Sequence, residues 1–266
     1  MATSSSPTSA PAETPESHAG VAVDSAGIAT VTIQGAGALN LLSTPVIVAL
    51  RDAVQALASD ERVRVLVLRG TGDRAFVAGA DIKEMGALDG PKAHAFIDKL
   101  RQLSDAVRLF PTPVIARIPG WTLGGGMELA AACDLRIVSN RAQFGMPEVK
   151  VGIPSIIHAA LIPRLVGQAR ANWLMLTGEN IDAAQALAWG LVDAVVAPDR
   201  LDEEVGRMAR QLAGYGPCVL RQQKRLLREW QQEPLETAIR NGVQEFASAF
   251  GTGEPQHYMG KFLGKH

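Results

Sequence analysis

Two short stretches, Phe76-Val77-Ala78-Gly79-Ala80-Asp81 and Leu123-Gly124-Gly125-Gly126-Met127-Glu128, decide how this chain is interpreted. Each comes after a predicted strand (63–68 and 113–118) and each leads into a predicted helix. Small residues ahead of a helix leave backbone N–H groups unpaired and accessible to a ligand oxygen. Two such groups aimed at one oxygen can hold a carbonyl while it becomes an enolate. The two stretches therefore predict an oxyanion hole, although composition does not show that they face each other.

Two glutamates accompany these turns. Glu128 lies in the first turn of the helix after the triple glycine, and Glu148 follows twenty residues later in Phe144-Gly145-Met146-Pro147-Glu148. Two carboxyl groups near an oxyanion hole can move protons and position water. Each also has a simpler explanation: Glu128 stabilises a helix dipole by about 0.3–1 kcal/mol, and Glu148 is a solvated surface carboxylate. Asp81 is predicted to cap the helix that starts at Ile82.

Outward from these stretches, strands alternate with helices, which predicts an α/β fold with largely parallel pairing. After residue 199 the strand pattern disappears and only helices are expected. The predicted strands are 21–23, 28–33, 63–68, 113–118, 135–138 and 191–196. The predicted helices are 46–58, one from about 82, 91–109, 128–133, 157–165, 169–176, 183–188, 201–215 and 219–250, the last interrupted near Pro234.

Three parts of the chain follow from this pattern: residues 1–20 as a disordered tail, 21–200 as the core with the active site, and 201–266 as a helical oligomerisation region. The tail is rich in Ser, Thr, Pro and Ala and contains no Lys or Arg, unlike a secretory or mitochondrial leader. No apolar run is long enough for a membrane span. A cytoplasmic location is therefore expected, with Cys133 and Cys218 as buried free thiols.

Composition and motifs exclude several functions. Hydrophobic residues make up 47% and charged residues 20% of the 266 residues, which is typical of a globular protein with a substantial core. A formal net charge of −1 argues against binding nucleic acid or an acidic membrane. The dinucleotide, phosphate-loop and serine-hydrolase glycine motifs are absent. The five histidines are scattered, so no metal site is expected.

Several motifs, in order, resemble the enoyl-CoA hydratase/isomerase family, also called the crotonase superfamily. The resemblance runs from about Val21 to the C-terminus. The motifs are Ala38-Leu39-Asn40, Phe76 through Met85, Gly124 to Leu129, Cys133-Asp134-Leu135, Ala142 through Glu148, and Ala188-Trp189-Gly190-Leu191-Val192.

The resemblance implies a fold, a site and a partner. The fold is a spiral of ββα turns followed by a helical trimerisation region, assembled as a homotrimer or a dimer of trimers. The oxyanion hole maps onto the backbone N–H groups of Ala80 and Gly125, and the two catalytic glutamates of hydratases map onto Glu128 and Glu148. The substrate is an acyl-CoA thioester. Coenzyme A belongs to the substrate, so no cofactor is implied.

The same resemblance implies contacts to the substrate. They are Ala38, Leu39, Ala78, Gly79, Asp81, Ile82, Gly124 and Lys265. The ending Phe262-Leu263-Gly264-Lys265 is similar to a family Phe-Leu-Glu-Lys whose lysine can reach a CoA phosphate.

One segment departs from the family pattern. Where hydratases carry a stretch such as Gly-Thr-Ile-Pro-Gly-Ala-Gly-Gly-Thr-Gln, this chain has the bulkier, apparently shorter segment 152–160. A narrower or reshaped acyl pocket is expected, with a preference other than long straight chains. His158 is a candidate additional acid or base, and Trp121 a core or pocket-wall residue.

Both glutamates are present, which favours hydration of a 2-enoyl-CoA to a 3-hydroxyacyl-CoA. Family isomerases generally keep only the glutamate at the Glu148 position. An enoyl-CoA isomerase, an acyl-CoA thioester hydrolase and a non-catalytic acyl-CoA-binding protein stay open as alternatives.

Overall fold

A computed structural model describes residues 17–264 of the chain. The predicted disordered tail therefore falls almost wholly outside the described residues, and so does the predicted substrate contact Lys265. The first strand begins at Ala19 rather than Val21, so that residues 19 and 20 belong to the sheet and not to the tail.

The strands form two sheets. The larger has six strands in the order β1-β2-β3-β5-β7-β10, and the smaller has four in the order β4-β6-β8-β9. The strands are β1 Ala19–Val23, β2 Ile28–Ile33, β3 Val65–Gly70, β4 Ala75–Val77, β5 Val114–Ile118, β6 Trp121–Leu123, β7 Leu135–Ser139, β8 Gln143–Gly145, β9 Ile181–Asp182 and β10 Ala194–Val196.

Successive strands alternate between the two sheets. β3, β5 and β7 pair in parallel in the larger sheet, and β4, β6 and β8, each following one of them, pair in parallel in the smaller sheet. Among the strands of residues 17–264, only the pairs β1–β2 and β8–β9 are antiparallel. This repetition is the ββα spiral that the resemblance implied, and the prediction of an α/β fold with parallel pairing is confirmed.

Eleven α-helices surround the sheets in the described part of the chain. They are α1 Thr44–Ala58, α2 Ile82–Met85, α3 Gly90–Arg108, α4 Gly125–Ala132, α5 Ile162–Val166, α6 Gln168–Thr177, α7 Ala183–Trp189, α8 Leu201–Ala213, α9 Pro217–Glu229, α10 Leu235–Phe250 and α11 Glu254–Phe262. Three 3-10 turns cover Pro147–Val151, Ile157–Leu161 and Pro198–Arg200.

One helix prediction needs correction, and one helix was not predicted. The predicted helix 157–165 is a 3-10 turn followed by α5, because Pro163 at the start of α5 has no N–H to continue the preceding turn. The predicted interruption of helix 219–250 near Pro234 is confirmed, because α9 ends at Glu229 and α10 begins at Leu235. Helix α11 was not predicted.

The larger sheet is buried on both faces. Along β3, Leu66 and Leu68 pack into the main core with α1, α3 and α4, whereas Val65 and Val67 face a second cluster covered by α8. Burial on both faces explains why this strand is a continuous apolar run rather than an alternating one. The layers position the smaller sheet against α4, which carries Glu128.

The two thiols differ in environment. Cys133 is buried and Cys218 is exposed in the first turn of α9, and both are free. The expectation that both are buried is therefore wrong for Cys218. No helix of residues 17–264 is long and apolar enough to cross a membrane.

Candidate active site

The parallel strands of the smaller sheet bring the predicted site segments together. Val77 of β4 pairs with Thr122 of β6, and Leu123 of β6 pairs with Gly145 of β8. Because the carboxyl ends of parallel strands meet at one edge of a sheet, the segments that follow these three strands emerge side by side. They carry the first small-residue turn, the triple glycine with Glu128, and Glu148.

The first turn is held by the segment that precedes α1. Ala78 N–H donates to the Leu39 carbonyl, Leu42 N–H donates to the Gly79 carbonyl, and Asp81 N–H donates to the Leu42 carbonyl, each at 3.0 Å. Ala80 lies inside this short ladder, and within the described chain its own N–H has no acceptor. The hydrogen bonds of this ladder thus hold the Ala80 N–H in place and leave it free to donate to a ligand.

The triple glycine supplies a second free donor. Gly124 has φ +50° and its N–H donates to the Gly145 carbonyl at 2.9 Å. Gly125 is the first residue of α4, and its N–H finds no acceptor anywhere in residues 17–264. Helix starts leave such groups unpaired because no carbonyl lies one turn earlier.

Close backbone packing makes the two turns neighbours. A Cβ on Gly79, whose φ is +118°, would lie 3.6 Å from the Leu123 carbonyl oxygen. A Cβ on Gly126 would overlap the backbone of Val77. The glycines therefore allow the start of α4 to rest on the end of β4, beside the first turn.

Glu128 is buried beneath these turns, with 3% of its surface exposed. Its Oε2 accepts a hydrogen bond from the His158 backbone N–H at 2.8 Å. Burial, and after it the negative charge of Glu148, raises the pKa of Glu128 to about 8, against the opposing backbone N–H groups of His158 and Ala159. This carboxyl is mostly protonated at neutral pH, and dipole stabilisation alone does not describe its environment.

Glu148 is half-buried in the 3-10 turn after β8. Its Oε1 lies so near Gly124 that a Cβ at this glycine would overlap it, and its Oε2 accepts a hydrogen bond from Ser155 Oγ at 3.0 Å. Burial raises the pKa of Glu148, while its own backbone N–H and the Ser155 hydroxyl oppose the rise. The simpler explanation of Glu148 as a solvated surface carboxylate is therefore wrong.

His158 contacts the site through its backbone. Its ring is buried, with Nε2 3.2 Å from Asp105 Oδ1 on α3, and burial lowers the pKa of the imidazole. The contact to Glu128 comes from the His158 N–H and not from the ring. The geometry gives this residue a structural part, and its predicted role as acid or base finds no contact here.

The remaining predicted residues lie around the first turn. Asp81 caps α2 by accepting the Lys83 N–H at 2.9 Å, as predicted, and Ile82 is 64% exposed. Ala38 is exposed and Leu39 half-buried. Trp121 on β6 is 39% exposed, so it is not a core residue.

Sequence reasoning missed the parts played by Ser155 and Asn40. Asn40 is fully buried with φ +51°, and its Nδ2 donates to the carbonyls of Thr71 at 3.2 Å and Ala75 at 2.9 Å. These bonds join segment 39–42, which holds the first turn, to Thr71 and to Ala75 at the start of β4. The signal for Asn40 was its place in the Ala38-Leu39-Asn40 motif. The signal for Ser155 was its place in segment 152–160, which departs from the family pattern.

A ββα spiral whose two neighbouring turns each leave a backbone N–H unpaired, next to the segments with the buried Glu128 and the half-buried Glu148, defines a class of protein, the crotonase fold. The family model described as enoyl-CoA hydratase/isomerase matches residues 24–266, and the chain belongs to this family.

Named relatives agree with this assignment. The chain is 36% identical over 239 residues to the crotonyl-CoA hydratase of Syntrophomonas wolfei, covering 90% of this chain and 92% of the relative. It is 34% identical over 242 residues to the short-chain-enoyl-CoA hydratase of Clostridium acetobutylicum, with the same two coverages. The crystal structure of an enoyl-CoA hydratase from Mycobacterium smegmatis superposes with a TM-score of 0.90 at 30% identity, covering 94% of this chain and 98% of that one.

Proposed function

We propose that this protein is an enoyl-CoA hydratase, which adds water across the 2,3 double bond of a 2-enoyl-CoA to give a 3-hydroxyacyl-CoA. The observation that carries the proposal is the pair of carboxyl groups, the buried Glu128 and the half-buried Glu148, on segments next to the two turns with unpaired backbone N–H groups. The substrate class named for the relatives supports a short acyl chain.

The oxyanion hole stabilises the enolate. The thioester carbonyl of the substrate accepts hydrogen bonds from Ala80 N–H and Gly125 N–H, and negative charge develops on its oxygen as C3 is attacked. Removal of one such donor from an enzyme typically costs a factor of about 10²–10³ in rate. No side chain has to ionise for this step, since the donors are peptide groups held by backbone packing.

The two carboxyl groups complete the addition. Glu128 takes a proton from the water whose oxygen bonds to C3, and Glu148 gives a proton to C2 as the enolate returns to a thioester carbonyl. The pair begins with one proton on Glu148 and ends with one proton on Glu128. The sum of the steps is one water added, with the enzyme's proton count unchanged.

In the free enzyme the two glutamates have the protonation state that they reach at the end of hydration, because burial and the charge of Glu148 place the proton on Glu128. Dehydration of a 3-hydroxyacyl-CoA can start from that state directly. Hydration needs a reset, in which a water touching both carboxyl groups accepts the proton of Glu128 and gives one to Glu148. Such a transfer needs only one bridging water.

Crotonyl-CoA is the substrate with which to test this function, by loss of the conjugated enoyl absorbance and by product mass. We expect a gain of one water, with loss of at least 10²-fold in kcat for Glu128→Ala and for Glu148→Ala. Glu61→Ala serves as the control, because Glu61 is exposed outside the site. A product of unchanged mass, or release of free CoA thiol, would replace hydration by isomerisation or thioester hydrolysis. Binding without any turnover would point to a non-catalytic protein.

We also propose that the C-terminal helices form the subunit interface of a homotrimer or a dimer of trimers. α10 exposes a row of apolar side chains: Leu235 is 72%, Ile239 60%, Val243 77% and Phe246 68% exposed. Apolar surfaces of this kind mark contacts between proteins. Sedimentation of the full chain at trimer or hexamer mass, shifted towards monomer by Val243→Glu, is the expected result. A monomer at all concentrations would contradict it.

The cellular location is proposed from the thiols. Two free cysteines fit a reducing compartment such as the cytoplasm, where disulfides rarely persist. Fractionation of cells that make the protein tests this expectation.

A further inference from the structure

The segment that departs from the family pattern touches both glutamates. Ser155 Oγ lies 3.0 Å from Glu148 Oε2, and the His158 N–H lies 2.8 Å from Glu128 Oε2. Ser155 follows Pro154, where the family stretch has glycine, so that a side-chain donor stands where the family stretch has none.

We propose that Ser155 is a positioning residue, whose hydroxyl holds Glu148 Oε2 as an acceptor, orients the carboxylate against Gly124 and assigns the proton of the pair to Glu128. This inference rests on the proposed function, because it explains how two neighbouring carboxyl groups become different. An ionised carboxylate can only accept hydrogen bonds, and a hydroxyl that donates to it favours the ionised form.

In the described residues, the charged groups around Glu148 do not hold its carboxylate, so the Ser155 hydroxyl has this role. On the side of α4, Glu148 faces Glu128, and the two carboxyl groups disfavour each other's negative charge. Lys150, two residues away, pairs instead with Glu179 at 3.2 Å, and both side chains are at least half exposed. The His158 ring is directed to Asp105. Within residues 17–264 no Lys, Arg or His forms an ion pair with Glu148, and Ser155 is its side-chain donor.

Orientation follows from the same bond. Glu148 Oε1 is packed against Gly124, and Ser155 fixes the other oxygen on the opposite side of the carboxylate. Without the hydroxyl, the carboxylate can rotate about its last torsion, which has a broad and shallow preference. Both the protonation and the direction of Glu148 are therefore expected to respond to a change at Ser155.

Carbon-13 NMR of the full chain with labelled glutamate carboxyls measures the protonation without turnover. Glu128→Gln and Glu148→Gln assign the two signals. We expect Ser155→Ala to raise the titration midpoint of Glu148 by about one pH unit. The variant loses the hydroxyl that donates to Glu148 Oε2, and such a bond is stronger when the carboxylate is charged. Ser155→Thr, which keeps the hydroxyl, should restore the wild-type midpoint. An unchanged midpoint in Ser155→Ala would overturn the inference.

The pH profile of kcat/KM on crotonyl-CoA gives a second readout. Ser155→Ala should shift the acid limb, which reports Glu148, to higher pH by about one unit. The basic limb, which reports Glu128, should stay at the same pH. Ser155→Gly, the residue of the family stretch, should behave like Ser155→Ala, and it provides a second variant if the first does not fold. An acid limb that stays in place in both variants would contradict the proposal.

The two readouts separate this inference from the proposed function. If the wild-type protein does not hydrate crotonyl-CoA but the NMR midpoint moves with Ser155, the function fails and the part played by Ser155 stands. If hydration is rapid and neither the midpoint nor the acid limb moves, the function stands and the inference fails.

Discussion

Glu128→Gln should make the protein more stable at high pH while it removes activity. Glu128 is buried, and its pKa rises from 4.5 to about 8 on folding. At about 1.36 kcal/mol for each pH unit, this rise corresponds to about 4–5 kcal/mol of unfolding free energy. The cost reflects the burial of a carboxyl beside a second carboxyl, and glutamine has no charge to bury.

The sign follows from proton binding. Below pH 4.5 the carboxyl is protonated in both the folded and the unfolded chain, so it costs no stability. Between pH 4.5 and about 8 the unfolded chain has released the proton and the folded chain keeps it, so stability falls as pH rises. Above pH 8 the loss is complete. Glutamine keeps an oxygen for the His158 N–H, so the contact at 2.8 Å can persist.

Urea unfolding of both proteins at pH 5, 6.5 and 8, at one protein concentration, measures this effect. The free energy of unfolding of Glu128→Gln minus that of wild type should rise by about 3.5 kcal/mol from pH 5 to pH 8. Glu61→Gln, at an exposed site, should show no such trend. A difference that is the same at every pH would refute the argument that Glu128 is buried with a raised pKa.

Three further predictions concern packing and the acyl pocket. Gly126→Ala should lower the unfolding free energy by more than about 2 kcal/mol, because its Cβ would overlap Val77; Gly90→Ala in α3, where nothing lies within 4 Å, should be neutral or stabilising, and equal effects would contradict the close packing. Asn40→Ala should cost about 2–3 kcal/mol in urea unfolding, since one buried and one partly buried hydrogen bond are lost; a change below about 0.5 kcal/mol would contradict the role of Asn40 in joining the two segments. Because segment 152–160 is bulky, kcat/KM should be higher on crotonyl-CoA than on a long-chain enoyl-CoA, and equal values would show an open pocket.

Strand prediction succeeded for strands that are buried on both faces and failed for three strands of three residues. β3 and β5 were found, with ends shifted by one or two residues, because double burial gives a long run of apolar residues. β4, β6 and β8 have three residues each, too few for any periodicity to appear. These missed strands place the two turns and Glu148 at one edge.

Residue types and order along the chain determined the α/β class, the family, the two candidate turns and the two candidate glutamates. Backbone donors and helix starts are local, so a glycine run marks them without a structure. Only the tertiary structure decided what surrounds each group: the ladder that leaves Ala80 N–H unused, the burial that raises the pKa of Glu128, and the hydroxyl of Ser155 on Glu148. Those properties depend on distances between residues far apart in sequence, and electrostatic energies change with distance and burial, which residue order does not contain.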